Sequence, residues 1–139
     1  MLDRASKGVR PCAILTGFRI APVTGARCAY EKMQTRQAFE FSLVSAAALV
    51  RVDDRGLAAD ARIALGGAAP TAIRARAAER ALVGERLDAD AVAKAAQAAA
   101  SEDARPSDDA RASAAYRRDL VRVLTERALA RAGLLAESR

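Results

Sequence analysis

At 139 residues the chain is long enough for one domain of ordinary size and too short for two. It contains no run of about 20 apolar residues, and residues 1–10 carry charges where a signal peptide would have an apolar core. We therefore expect a cytoplasmic protein with neither a membrane span nor a secretion signal. Histidine is absent, so the commonest general base and zinc ligand is missing. We expect no catalytic residue and no metal site.

The net charge of +6 rests on 23 basic residues, of which three are lysines and twenty are arginines. The arginines are scattered among acidic residues and are not interleaved with exposed aromatic side chains, as a surface that binds nucleic acid would require. We therefore expect only weak, nonspecific association with nucleic acid.

The apolar residues predict a thin hydrophobic core. Just over half of the chain is apolar, but alanine supplies much of that fraction, and there are only three Phe, two Tyr and no Trp. Close packing of helices must therefore substitute for bulky side chains. Cys12 and Cys28 are too few for a disulfide framework or a zinc site, and we expect two small reduced thiols, buried or half-buried.

The first part of the chain predicts two strands after a flexible segment at residues 1–13. The run CAILTGFRI, which starts at Cys12, predicts an edge strand whose apolar residues are Ile14, Phe18 and Ile20. A break at residues 21–25 separates it from RCAYEKMQTR, residues 27–36, where we predict a second strand. Alternation would place on one side of that strand Cys28, Tyr30 and Lys32, and on the other Ala29, Glu31 and Met33.

The next segment predicts an antiparallel hairpin with strands at about 42–52 and 58–66. Asp53-Asp54-Arg55-Gly56 joins them, and acids followed by Gly are typical of turns, because Gly accepts positive φ and Asp binds nearby backbone amides. The apolar face shared by the two strands would consist of Val44, Ala46, Ala48, Val50, Ile63 and Leu65.

After Pro70 the apolar period changes from two to three or four, which predicts three helices. Capping residues and helix breakers set their expected ends: Thr71 and Gly84 for the first, Asp88 or Asp90 and the charged linker 101–105 for the second, Ser107 and Gly133 for the third. The residues expected to face inward are Ile73, Ala77, Ala78 and Leu82, then Val92, Ala95, Ala96 and Ala99, then Tyr116, Leu120, Val123, Leu124 and Ala128.

Strands grouped before helices favour an α+β fold, with a three- to four-stranded antiparallel sheet packed against three helices. We assign residues 14–133 to this single domain. Residues 1–13 would form a flexible N-terminal segment, and residues 134–139 a frayed C-terminus.

The glycines at the end of the hairpin raise the question of a phosphate-binding loop. Residues 66–71, GGAAPT, match neither the dinucleotide nor the triphosphate spacing. The simpler interpretation is that the glycines form a tight exit from the strand, with Arg74 and Arg76 as solvated charges. Three acidic pairs fall at turns or helix starts, where carboxylates accept bonds from backbone amides: Asp53-Asp54, Glu102-Asp103 and Asp108-Asp109.

The two tyrosines differ in their surroundings. Tyr116 heads an apolar helical stripe, which favours packing in the core. Tyr30 lies in AYEKM, among polar and basic groups. Its ring would either close over a planar ligand, with positive charge from Lys32 or Arg36, or lie half-buried on the sheet.

Three segments, taken in order, resemble a known family. AYEKMQTRQAFEFSLVSAAALV, ARIALGGAAPTAIRARAAERALVG and PSDDARASAAYRRDLVRVLTERAL are similar to the C-terminal domain of the FAD-binding medium subunit of molybdenum hydroxylases, the carbon monoxide dehydrogenase and xanthine dehydrogenase group. The resemblance covers residues 14–132. It implies the α+β layout described above, in the form of the carbon monoxide dehydrogenase flavoprotein C-terminal domain.

The resemblance also implies a position beside a flavin. In such subunits two earlier domains hold FAD through glycine-rich loops, and the C-terminal domain covers the isoalloxazine. The implied partners are an iron-sulfur small subunit and a molybdopterin large subunit, which feed electrons to the flavin. The residues that match family positions near the flavin are Tyr30, Lys32, Arg36 and Leu43. Leu43 stands where xanthine dehydrogenases can have a lysine, and it cannot supply that charge.

Glycine-rich FAD loops are missing from this sequence, so we expect a fragment or a shortened gene product that does not retain FAD alone. One aromatic contact contributes on the order of 1 kcal/mol, whereas micromolar binding requires about 8 kcal/mol. The alternative is a stand-alone interaction or oligomerisation module without cofactor. Exposed apolar area would permit a homodimer under either hypothesis.

Overall fold

The computed structural model describes residues 14, 16–17, 19–36 and 40–134. These residues form β1 Ala26–Met33, β2 Val44–Val52, β3 Ala58–Gly66, β4 Ile73–Arg74, α1 Arg76–Leu82, α2 Ala89–Ala98 and α3 Ala114–Leu134. A π-helical turn, Ala99–Asp103, continues α2. In this part of the chain no helix is long and apolar enough to cross a membrane.

The strands form one antiparallel sheet in the order β1-β2-β3-β4. The predicted hairpin is confirmed: β3 has the predicted bounds, β2 begins two residues later than predicted, and Ala48 pairs with Ile63. The Asp53 carboxylate accepts the backbone N–H groups of Arg55 and Leu57, each at 2.9 Å, and Gly56 has a φ of +78°. The turn therefore uses the acid and the glycine as predicted.

The helices cover one face of the sheet, which confirms the predicted α+β fold. α3 lies across β1 and β2, while α1 contacts β3 and α2. The predicted shared face is buried, with exposures of 2% or less, at Val44, Ala46, Ala48, Val50, Ile63 and Leu65. Much of the remaining core is alanine, so the core is thin. The opposite face of the sheet carries no helix in the described part of the chain.

The predicted edge strand before β1 is wrong for the residues that the structure describes. Ile14 and Ile20 are 86% and 88% exposed and belong to no strand. The sheet ends at β1, and an apolar run without a ladder partner does not form a strand. Phe18 and residues 1–13 lie outside the described residues.

Helix α1 begins at Arg76, and the predicted cap at Thr71 is wrong. Ile73, expected on the helix, lies in β4, and the Ala75 N–H donates to the Ile63 carbonyl at 2.8 Å. The cap is the Asp103 carboxylate, which accepts the N–H groups of Ala77 and Ala78 at 3.0–3.1 Å. A cap so distant in sequence leaves no local signal.

Other helix ends agree with the sequence. Gly84 follows the end of α1 with a φ of +89°, and the Asp88 carboxylate caps α2 by accepting the Ala91 N–H at 2.9 Å. The predicted inward residues of α2 are all buried. The predicted linker at 101–105 is wrong at its start, because the π-helical turn extends to Asp103 and the Ala104 N–H donates to the Ala99 carbonyl.

Helix α3 begins at Ala114, so the predicted cap at Ser107 is wrong. The intervening residues fold into a turn around Asp109, whose carboxylate accepts the N–H groups of Arg111 and Ala112. Ser113 then caps the helix, because its hydroxyl accepts the Tyr116 N–H at 3.2 Å.

The buried face of α3 also differs from the prediction. Tyr116 is 44% exposed and does not pack in the core, whereas Leu124 and Ala128 are buried as predicted. Gly133 does not end the helix, which runs to Leu134. A Cβ on Gly133 would lie 3.0 Å from a methyl carbon of Leu87, so this glycine permits close packing. Residues 135–139 lie outside the described residues.

Candidate functional site

The open face of the sheet holds a shallow depression of about 700 Å³. The residues that line it include Ala47 and Ala64, together with Tyr30 and Leu49. Small side chains on the central strands leave room above the sheet for a flat group. We call the face of the sheet that carries no helix in the described part of the chain the open face, and this face is the candidate functional site.

Tyr30 and Lys32 both lie on the open face. They alternate with the half-buried Ala29 and Glu31, as predicted for β1. Tyr30 pairs with Ala47 on β2, so its ring has no large neighbour across the ladder, and it is 55% exposed. An exposed ring beside small residues is free to stack on a planar partner.

Arg36 lies beyond the end of β1, in the segment that leads to β2. The Glu40 carboxylate organises this segment by accepting the Arg36 N–H at 2.6 Å and the Thr35 hydroxyl. The Thr35 hydroxyl bond, with the Arg36 amide, lowers the pKa of Glu40 below its ordinary value. Arg36 is exposed, and it is not among the residues that line the depression.

Leu43 does not present its side chain on the open face. The side chain is buried, at 3% exposure. Its N–H donates to the Met33 carbonyl at 2.8 Å, and its carbonyl accepts from Arg117 at 2.5 Å. The structure thus brings Tyr30 and Lys32 together, with Arg36 beyond them and Leu43 in the interior.

Three arginines that the sequence did not assign to the site also line the depression: Arg62, Arg74 and Arg131. The prediction that Arg74 and Arg76 are mostly solvated charges agrees with Arg76, whose side chain is 66% exposed, and less well with Arg74, at 38%. Both donate to the buried carboxylate of Glu79, at 2.6 and 3.3 Å, because a buried carboxylate needs charged or polar partners. A glutamate amid the inward alanines of α1 was the available signal.

Cys28 is exposed on the open face, so the prediction of a buried or half-buried thiol is wrong for it. The odd-numbered residues of β1 face the helices and the even-numbered ones face away. Cys28 is exposed because it is at an even-numbered position. Cys12 lies outside the described residues.

The glycine turn is structural, as predicted. Gly67 has a φ of +70°, and a Cβ there would lie 2.3 Å from the Leu43 carbonyl oxygen. Close backbone approach explains the glycine without a ligand. Across the described ranges, no group of three or more Cys, Asp or Glu side chains is placed to hold a metal ion.

The sequence match, together with the fold, defines the class of this protein. Residues 28–132 match the model for the CO dehydrogenase flavoprotein C-terminal domain, and the chain belongs to this family. The family resemblance seen in the sequence is confirmed.

Relatives agree with this assignment. Subunit alpha of the 6-hydroxypseudooxynicotine dehydrogenase complex of Paenarthrobacter nicotinovorans is 33% identical over 108 residues, which are 78% of this chain and 36% of the relative. Carbon monoxide dehydrogenase from Hydrogenophaga pseudoflava superimposes with a TM-score of 0.75 and 35% identity, over 82% of this chain and 39% of that chain.

Quinoline 2-oxidoreductase from Pseudomonas putida 86 superimposes with a TM-score of 0.74 and 30% identity, over 83% of this chain and 39% of that chain. The chain thus spans less than two-fifths of the length of each of these relatives. The similarity extends through one domain of larger proteins.

The family implies FAD in the complete flavoprotein subunit. The open face fits one side of a flavin ring, because it offers an exposed aromatic ring, small neighbours and cationic side chains. It does not fit the diphosphate, since Gly67 is packed against the backbone of Leu43 and Gly66 against the side chain of Ser45. Only the ring end of FAD therefore matches the described residues.

Proposed function

We propose that this chain acts as the C-terminal domain of a flavoprotein subunit of a molybdenum hydroxylase and covers the isoalloxazine of FAD with its open face. The observation that carries the proposal is Tyr30, 55% exposed beside an alanine-lined depression. The Tyr30 ring is exposed, and the depression beside it has room for a planar group that could stack on the ring.

Each proposed flavin-side residue has a distinct role. The Tyr30 ring stacks on the isoalloxazine and excludes water, and Lys32, two residues along the same face, places a positive charge near the ring system. Arg36 adds a positive charge beyond the end of β1, and Leu43 supports the site from the interior without touching the ring. Bound FAD supplies the electron transfer; these residues shield and orient it.

The proposed partners follow from the relatives, one of which is a subunit of a dehydrogenase complex. We propose that an iron-sulfur small subunit and a molybdopterin large subunit dock against the complete flavoprotein subunit and deliver electrons to it. The chain alone should lose FAD on gel filtration, because a single aromatic contact is worth about 1 kcal/mol and stable retention needs several times more.

A chimaera tests the role of Tyr30. Residues 26–134 would replace the domain of the Hydrogenophaga carbon monoxide dehydrogenase chain on which they superimpose. We expect Tyr30→Ala to weaken FAD binding about fivefold, the equivalent of about 1 kcal/mol. Tyr116→Ala, which removes an exposed ring on α3, is the control and should leave FAD binding unchanged. Equal affinities in both variants would contradict the proposal.

A stand-alone interaction module is the second candidate, because Phe41 is 87% exposed in addition to the open face. This alternative requires an oligomer that forms without any flavoprotein partner. A monomer by light scattering on the free chain would contradict this alternative. Because a homodimer is compatible with either role, copurification of an iron-sulfur or molybdopterin subunit distinguishes the two.

A further inference from the structure

Arg117 is a charged residue that α3 buries. It lies in the first turns of the helix and is 4% exposed, among the apolar side chains of the core. Its Nε has no hydrogen-bond partner among the described residues. Burial of a guanidinium costs free energy unless its bonds compensate, so the two bonds that it does form are informative.

Those two bonds join the start of α3 to the start of β2. Nη1 donates to the Leu43 carbonyl at 2.5 Å, and Nη2 donates to the Asp109 carboxylate at 2.6 Å. Asp109 is itself fixed by the amides of Arg111 and Ala112. The guanidinium thus spans 74 residues of sequence to hold one backbone carbonyl.

The carbonyl that Arg117 holds ends the segment between β1 and β2. The Leu43 N–H closes this segment on the Met33 carbonyl, and Gly67 packs against the Leu43 carbonyl from another side. A second arginine, Arg111 in the turn around Asp109, donates to the Phe41 carbonyl at 3.5 Å. Arg117 on α3 and Arg111 before that helix therefore bind the end of the segment between β1 and β2, at Leu43 and Phe41. This segment follows Tyr30 and Lys32 and carries Arg36.

We infer that Arg117 is a positioning residue that, together with Asp109, fixes the β1–β2 connection beside the open face. The inference rests on the proposed function in that this connection carries Arg36, one of the proposed flavin-side residues. It assigns a role to the DARASAAYRR motif: Asp109 orients the guanidinium, Ser113 starts the helix, and Arg117 holds the carbonyl. Arg117 itself does not touch the ligand.

Amide hydrogen exchange on the full chain tests this inference. In Arg117→Met we expect the amides of Arg36 and Leu43 to exchange at least about tenfold faster relative to the β2–β3 ladder amides, since both charge-assisted bonds are lost. Arg117→Lys keeps the charge beside Asp109 and should restore part of the protection. Arg118→Met, an exposed neighbour on α3, is the matched control and should leave the ratio unchanged.

If Arg117→Met does not fold, Asp109→Ala at the half-exposed end of the pair gives the same comparison, with faster exchange in the connection than in the ladder. The inference is overturned if connection and ladder amides accelerate by the same factor, or if neither changes. The readout requires no flavin, so its failure leaves the Tyr30 experiment valid. A failure of the Tyr30 experiment likewise leaves the positioning role of Arg117 standing.

Discussion

Gly67 shows how a single residue constrains the sheet. Its φ of +70° lies in the left-handed region, and the Leu43 carbonyl oxygen occupies the space that a side chain would need. Gly25 also has a φ of +70°, but nothing lies within 4 Å of its Cβ position. Both glycines have the same backbone conformation, and only Gly67 has a close neighbour at its Cβ position. The sequence alone does not distinguish these two reasons for a glycine.

We expect Gly67→Ala to destabilise the chain by about 1–3 kcal/mol more than Gly25→Ala. Both substitutions carry the left-handed cost of about 1–2 kcal/mol, and only the first adds backbone strain of about 1–3 kcal/mol. Urea unfolding followed by circular dichroism measures the difference. Equal losses would mean that the Leu43 backbone moves without cost.

Asp109 gives a second prediction at the residue scale. The backbone amide of Arg111, followed by the Arg117 side chain, lowers the pKa of Asp109 from 3.8 to about 2. Because the folded value is below the unfolded value, the stabilisation is complete above pH 3.8 and is lost as pH falls through about 2.

Asp109→Asn should therefore remove part of the pH dependence of stability between pH 3.8 and about 2. Near neutrality the pH dependence of stability should be the same in the variant as in the wild-type chain. Carboxyl carbon shifts in the wild-type chain measure the Asp109 titration directly. A midpoint at the ordinary value of 3.8 would show that the two arginine contacts do not form in solution.

At the scale of elements, local signals predicted local structure. The hairpin followed from alternation and from the acid-glycine turn, and α2 followed from Asp88 and its alanine stripe. The start of α1 could not be predicted, because its cap is Asp103 and its preceding residues pair with β3. The start of α3 was misassigned because Ser107 and Ser113 are both plausible caps and only the Asp109 turn decides between them.

We expect Asp103→Ala to destabilise the chain by about 1 kcal/mol, the typical cost of losing a helix cap. The loss should concentrate in α1, where the amides of Ala77 and Ala78 would lose their acceptor. Hydrogen exchange of those two amides and urea unfolding check the prediction. Glu102→Ala, which removes the neighbouring exposed carboxylate, should change neither measurement.

At the scale of the whole molecule, helices cover one face of the sheet and leave the other face open. Alternation along β1 sufficed to predict that Tyr30 and Lys32 share that face. The burial of Leu43 depends on long-range contacts with Gly67 and Arg117, which no local pattern shows. Arg62 and Arg74 pair with Asp60 and Glu79, which are near them in sequence, but their approach to Tyr30 depends on the order of the strands in the sheet.

The accessibility of Cys28 tests most directly whether the open face is the flavin side, because its thiol is exposed there and lines the same depression as Tyr30. Peptide-resolved alkylation would compare the free chain with the FAD-loaded chimaera. We expect alkylation of Cys28 to be at least about tenfold slower in the chimaera, since burial restricts a thiol to rare openings, and to recover in part when FAD is removed. Equal alkylation rates in the free chain and the loaded chimaera would contradict the account.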